Sequence, residues 1–417
     1  MTPSRRDLLR VSAAGLATVA AGCNSFLRPS VGAWSYEVAF GRVGRPAVGE
    51  GTVYAGAEDK AVHAVDAATG ERRWRYETGG SCARPLTLGG NEVVYVESED
   101  GALYALRDGK AHWQFETHAV APRPTLTDGT VYLPDRAYVD GQDRGRLHAL
   151  DARTGERRWT FRTDREFVAL SAVAGDTVVC TDRETDRRRR SRVYALDART
   201  GEPRWSAETR GRFVADARGD VVAALALRHE VNDSGEDVAD DELRVFDLGS
   251  GRQRWSRTVG PNGTDAVRVA DRGVLYGLSG SLVAREAATG EERWRVEGFT
   301  GRRATSFLVA DGTVYLGTRD DAEDRAVVVA ADVRDGTRGW RQPLEETTNV
   351  ERVALAGDAV YASSTFNPWR VIELGADTGR RRASHSVEGG SAWTAADGAV
   401  YVGTHDARLV ARARPGD

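Results

Sequence analysis

The sequence predicts an all-β protein built as a β-propeller, a ring of four-stranded sheets, and three observations carry that expectation. Tryptophan returns at Trp34, Trp74, Trp113, Trp159, Trp205, Trp255, Trp294 and Trp340, with successive gaps of 39 to 50 residues, a period suited to propeller blades rather than helical solenoids. A short string, D-A-x-T-G, precedes Trp74, Trp159 and Trp205 in near-identical copies, HAVDAATGERRW, HALDARTGERRW and YALDARTGEPRW. Finally, no window carries a sustained helical stripe, whereas alternation of period two recurs throughout.

The elements follow in chain order. Residues 1–22 read as an export signal: Arg5 and Arg6 in a positive leader, then a short apolar run, then small residues before a cysteine. The run falls well short of the roughly 20 apolar residues that span a bilayer. It resembles a twin-arginine signal ending in a lipobox, which implies that Cys23 carries the lipid and that residues 23–32 are a short linker. The expected location is the extracytoplasmic face of the cell membrane.

Residues 33–413 form the repeat, and 414–417 a tail. Within one unit four strands are legible, around RPAVGEG, TVYAGA, AVHAVD and RRWRYET. In the fourth strand Trp74 and Tyr76 share one face while Arg73 and Arg75 share the other. In D-A-x-T-G, Asp66, Asp151 and Asp197 can accept backbone N–H groups as the chain leaves the third strand, and Gly70, Gly155 and Gly201 tolerate positive φ. The spacing of a calcium loop is absent. A blade cannot bury both faces alone and must stack on its neighbours. Each large indole is therefore expected to dock one blade on the next.

The unit VYxGxxDxxLYALDAxTGxxxW resembles the repeat of pyrroloquinoline-quinone-like (PQQ-like) propellers, in which that tryptophan docks neighbouring blades. Two groups share this repeat: large quinoprotein alcohol dehydrogenases, and propeller lipoproteins such as the one in the bacterial outer-membrane β-barrel assembly machinery. The signal and the length of 417 residues resemble the second group.

The strand around Trp34 lacks partners before it, and the last unit, from Trp393, stops after three strands. Joined, the two halves make one blade that closes the ring. The count is then nine units, against a family norm of eight, with Ala383 in the tryptophan position of the eighth.

Length differences concentrate between second and third strands, at residues 134–145, 182–191, 228–241, 319–324 and 365–369, which places five insertions on one side of the disc. Insertions on one face mark a binding side. Two are of opposite charge, with Arg187, Arg188, Arg189 and Arg190 in one and Glu236, Asp237, Asp240 and Asp241 in the next, which suggests a bipolar recognition site. Phe366 and Trp369 add aromatic anchors.

Composition narrows the function. With 62 acidic and 58 basic residues the charge balances, which argues against a nucleic-acid partner. His63 and His148 occupy the slot of Tyr104 and Tyr194 in sister units and read as repeat positions. No zinc spacing, nucleophile elbow or phosphate loop is present, and Cys82 and Cys180 make no adjacent pair of the kind quinoprotein dehydrogenases carry. The sequence thus predicts a monomeric, lipid-anchored scaffold for envelope proteins, with neither cofactor nor catalysis of its own. The alternatives are a quinone-dependent dehydrogenase and a propeller binding a small ligand or glycan.

Overall fold

A computed structural model describes residues 33–413, apart from 118–122, 140, 184–189, 228–239, 261–266, 271–272, 279–280, 298–305, 321–322, 346 and 365–368. The signal, Cys23, Arg5 and Arg6 lie outside the described residues. The described chain is all strand and turn, arranged as nine four-stranded antiparallel sheets. Each sheet pairs four consecutive strands except the ninth. There the first strand, Trp34–Glu37, is hydrogen-bonded to the last, Arg408–Ala413, with Trp34 opposite Ala411 and Glu37 opposite Arg408. This pairing closes the ring and leaves neither chain end with an open inner edge.

Blades are numbered below from the sheet that begins at Ala47, so blade 9 is the shared one. Apolar clusters lie between neighbouring sheets rather than at one centre. Blades 1 and 2, for example, share Tyr54, Val62, Ala64, Leu86, Val94, Val96 and Leu106. Every blade therefore completes its core with side chains from the next.

The tryptophan is the most regular of these contacts. It sits on the outermost strand, opposite a small residue of the third strand: Ala64 faces Trp74, Ala105 faces Trp113, and Ala149 faces Trp159. A bulge follows each of those pairs. The indole N–H then reaches the turn of the following blade, where Trp34 donates to the Ala67 carbonyl at 3.0 Å, Trp159 to Ala198 at 2.9 Å and Trp340 to Ala376 at 2.7 Å. Trp113, Trp205, Trp255 and Trp294 repeat the bond. Trp74 meets instead a two-residue hairpin, Asp108–Gly109, with both residues at positive φ, and rests its ring beside Gly109.

The turn glycine has a second purpose that composition does not reveal. Gly201 has φ of 73°, and a Cβ there would stand 2.5 Å from the Trp159 ring. Gly155 is pressed in the same way by Trp113 at 2.6 Å. The aspartate that opens the turn is also used twice. Asp151 Oδ1 accepts the N–H groups of Arg153 and Thr154, both at 2.9 Å, while Oδ2 pairs with Arg158 at 2.8 Å. These bonds, led by Arg158, hold the Asp151 carboxyl down to about 2.

Blade 8 departs from the pattern because its neighbour is the closing blade. Between the third and fourth strands of blade 9 there is no turn, since the two chain ends meet there. A tryptophan at position 383 would have no glycine turn to cover, and Ala383 stands opposite a fully buried Glu373. His385 Nε2 lies 3.6 Å from that carboxylate. The missing indole volume is supplied by Trp369 and Trp393, which pack with Tyr361, Val371 and Val402 between blades 8 and 9. The Tyr361 ring lies tilted 6.3 Å from that of Trp393, as Tyr54 lies 5.7 Å from its own Trp74.

Two substitutions test this account by denaturant unfolding. Trp159→Ala is expected to cost about 3–5 kcal/mol, by loss of a buried ring and its N–H bond. Ala383→Trp, which restores the repeat residue, is expected to destabilise by roughly 1–3 kcal/mol through overpacking, because no turn exists to receive the ring.

Candidate partner-binding face and the buried acids beneath it

Alternating strand direction places the connections from second to third strand, and from the outer strand of one blade to the inner strand of the next, on the same side of the disc. The longest described projection there belongs to blade 3. Residues 134–145, expected as a loop, continue the ladder instead: strands Thr130–Val139 and Gln142–Asp151 stay paired from Thr130 opposite Asp151 to Val139 opposite Gln142. Pro134 sits in that ladder opposite Leu147. An antiparallel hairpin can extend past its sheet without a partner on either side when its own register is unbroken. Arg136 pairs with Asp143 at 3.3 Å across the hairpin. The Arg136 guanidinium also lies 5.2 Å from the Phe167 ring of blade 4, which Arg183 approaches to 4.8 Å. Near the tip Tyr138 is 74% exposed, and on the same side Phe40, between blades 9 and 1, is 56% exposed.

The other expected site residues divide. Arg187, Arg188, Arg189, Glu236, Asp237 and Phe366 lie outside the described residues. Arg190 belongs to strand Arg190–Asp197 and pairs with Glu208 at 3.6 Å, while Asp240 is exposed just before strand Asp241–Asp247. Asp241 is a buried strand residue rather than a loop charge. Trp369 also corrects the sequence reading: it is only 8% exposed and, with a Cβ on Gly390 placed 2.7 Å from its ring, wedges between blades. The closing blade needed a large ring that position 383 does not supply, so Trp369 is no surface anchor.

Beneath this face an acid meets a polar ring in four consecutive blades, buried as Asp59, Asp135 and Asp182 and exposed as Asp100 in blade 2. His63 Nε2 lies 3.1 Å from Asp59, and its Nδ1 is 3.0 Å from the Tyr36 hydroxyl of the closing strand. Tyr104 donates to Asp100 at 2.8 Å, His148 Nε2 lies 3.2 Å from Asp135, and Tyr194 donates to Asp182 at 2.7 Å. All four rings occupy one register position, next to the residue that faces the tryptophan. Burial pushes both imidazoles below their ordinary value against the pull of Asp59 and Asp135, so His63 and His148 tend to the neutral form. Asp182 also accepts the Thr163 hydroxyl at 2.6 Å and the Arg192 backbone N–H at 2.7 Å, tying blade 3 to blade 4. The repeat unit carries the ring slot and, in blades 1 and 2, an aspartate four residues before it; in blades 3 and 4 longer hairpins shift the acid, so the pairing is not legible from spacing. Cys82 and Cys180 are buried free thiols, and burial pushes Cys82 up to about 11.

This architecture can be set beside known proteins. The family model described as outer membrane protein assembly factor BamB, of the PQQ-like repeat class, matches residues 31–160, 120–239 and 239–415. The chain belongs to this BamB family. Among solved structures, BamB from Moraxella catarrhalis is similar with a TM-score of 0.51 at 17% identity, over 78% of this chain and 95% of that one. A quinohemoprotein alcohol dehydrogenase from Pseudomonas putida gives 0.52 at 16% identity, over 92% and 76%. At these identities the likeness is one of fold.

Curated relatives add a correction. Quinohemoprotein alcohol dehydrogenase of Comamonas testosteroni is 36% identical over 149 residues, 30% of this chain and 21% of the enzyme. The serine/threonine-protein kinase AfsK of Streptomyces griseus is 35% identical over 136 residues, 28% of this chain and 15% of the kinase. The chain thus spans about a fifth or less of the curated relatives it matches. Because relatives of this BamB-family chain are enzymes, the expectation that it has no catalysis of its own does not stand. No described helix is long and apolar enough to cross a membrane.

Glu97, in the second strand of blade 2, is a strongly perturbed acid under this face. It is 5% exposed, and neither carboxyl oxygen has a hydrogen-bond partner among the described residues. Burial pushes it up to about 9 despite the opposing charge of Arg84, with Asp135 adding to the rise. A carboxyl with a raised folded value stays protonated in the fold. Its contribution to stability is whole below the ordinary 4.5 and is lost as pH climbs toward 9. Glu97→Gln is therefore expected to melt with wild type at pH 4 and above it at pH 8, as read by thermal melts at both values.

Proposed function

We propose that this BamB-family chain is an extracytoplasmic propeller, held at the membrane by a lipid on Cys23, that docks another envelope protein through the face carrying the second-to-third-strand hairpins. The observation that carries the reading is the blade-3 hairpin, which projects Tyr138 into solvent at 74% exposure while its base is braced on blade 4. An amphipathic ring on a rigid support is suited to anchoring a partner at little entropic cost. Phe40 gives the same face a second apolar contact. The division into a signal at 1–22, a linker at 23–32 and one propeller at 33–413, acting as a monomer, belongs to this proposal, as do the oppositely charged insertions as its specificity elements.

Kinship with quinohemoprotein alcohol dehydrogenases favours a second reading, quinone-dependent oxidation. Among the described residues no group of three or more His, Cys, Asp or Glu side chains is placed to hold a metal ion, so no metal-assisted quinone step follows from them.

Crosslinking from native membranes separates the readings. Tyr138→Ala combined with Phe40→Ala is expected to lose a partner that wild type captures, with the fold intact; retention of every partner would refute the face. Activity is checked by adding pyrroloquinoline quinone with calcium and following dye reduction with an alcohol, where turnover would favour the second reading. Cys23→Ser is expected to move the protein from the membrane to the soluble fraction.

A further inference from the structure

The inner strands that line the central channel carry arginine at one repeated register position. In blades 1, 3 and 8 the residue paired with the second-strand tyrosine is Ala47, Thr125 and Ala354, opposite Tyr54, Tyr132 and Tyr361. Two residues before it stand Arg45, Arg123 and Arg352. Equal register on equivalent strands puts the three at one height, where each inner strand begins. That end of the channel opens on the face just described. Blade 9 separates blades 8 and 1, and blade 2 separates blades 1 and 3, so the arginines subtend one arc of the ring.

Their surroundings hold them in place without neutralising them. Arg352 donates to the Trp393 carbonyl at 2.6 Å, and its guanidinium lies 4.7 Å from the Trp393 ring. Arg123 Nε donates to the Thr87 hydroxyl at 3.1 Å, and that hydroxyl is itself bonded to the Pro124 carbonyl. Arg45 Nε is buried with no hydrogen-bond partner among the described residues. A guanidinium has five N–H donors, and most on each find no partner among the described residues. Among the described residues no carboxylate lies within ion-pair distance of any of the three; Glu351, beside Arg352 in sequence and exposed, is the one acid acting on Arg45 and Arg352 from further away. Burial lowers all three guanidinium values, taking Arg352 down to about 10, where the charges of Arg45 and Arg123 push the same way. A chain that gathers half-buried like charges forgoes stability that neutral residues would retain.

We propose that this channel mouth is a binding site for a small oxyanion, a carboxylate or phosphate group, held by Arg45, Arg123 and Arg352. Planar guanidinium forks match such oxygens two at a time, and charge-assisted bonds in a shielded channel are stronger than in bulk water. The bound anion also cancels the repulsion among its three ligands. The three arginines are distinct from the proposed partner contacts Tyr138 and Phe40, although Arg45 lies in the same connection, residues 38–46, as Phe40.

The test uses the mature full-length protein in detergent micelles, titrated separately with inorganic phosphate and with citrate and followed by calorimetry and thermal melting. One of the two is expected to bind saturably and to raise the melting temperature, and which binds tighter identifies the oxyanion class. Affinity should fall about ten-fold or more in Arg123→Gln and in Arg45→Gln, fall less in Arg45→Lys, and weaken with added salt. Without anion, both glutamine variants should melt at or above wild type, because repulsion is relieved. Absence of saturable binding by either probe, equal binding in the glutamine variants, or anion-free melting below wild type would each overturn the site.

Discussion

One contact sets the geometry of the ring: an indole on the outer strand of every blade but the eighth, covering the glycine of the next blade's turn and, from all but Trp74, donating its N–H to a carbonyl there. It joins two demands that a small sheet cannot meet alone, burial of an apolar face and satisfaction of a turn that would otherwise face an apolar ring. The aspartate, threonine and glycine of the turn, the small residue opposite the tryptophan and the bulge beside it are all consequences. Each fixes where the ring lies or makes room for it. Since every link spans two blades, the fold is stabilised as a circle, and its weakest joint is where the repeat is interrupted.

That joint is the meeting of blades 8 and 9. The closing blade is assembled from both ends of the chain, so it alone has no turn between its third and fourth strands. Ala383 is therefore an adaptation and not a decayed repeat position. Its neighbours show the compensation: Glu373 and His385 inside the blade, Trp369 and Trp393 between blades. Volume is conserved while its chemical source changes, which close packing requires.

The two sides of the disc divide the labour. Turns on one side are committed to docking, and each keeps a glycine at positive φ against the ring. Hairpins and crossovers on the other side carry the variation, and beneath them acids pair with histidine or tyrosine in blades 1 to 4. A channel mouth rich in arginine opens on that variable side. Exposed aromatics, paired acids and an unneutralised basic arc thus share one face by topology, because antiparallel order gives them nowhere else to emerge.

Sequence alone determined the strand content, the blade count of nine, the ring closure through Trp34–Glu37 and the role of each docking indole, because these rest on period and on turn chemistry that act over a few residues. Tertiary structure decided the rest. It turned residues 134–145 from loop into ladder, moved Trp369 from surface to interior, and paired His63 with Asp59 and His148 with Asp135. It also brought Arg45, Arg123 and Arg352 to one height although some 300 residues separate the first from the last. Burial and convergence depend on which distant segments close around a residue, and no local spacing encodes that. Family membership was legible in the repeated unit for the same reason that a partner or ligand was not: the repeat records what every blade must do, whereas selectivity resides in the few positions where the blades differ.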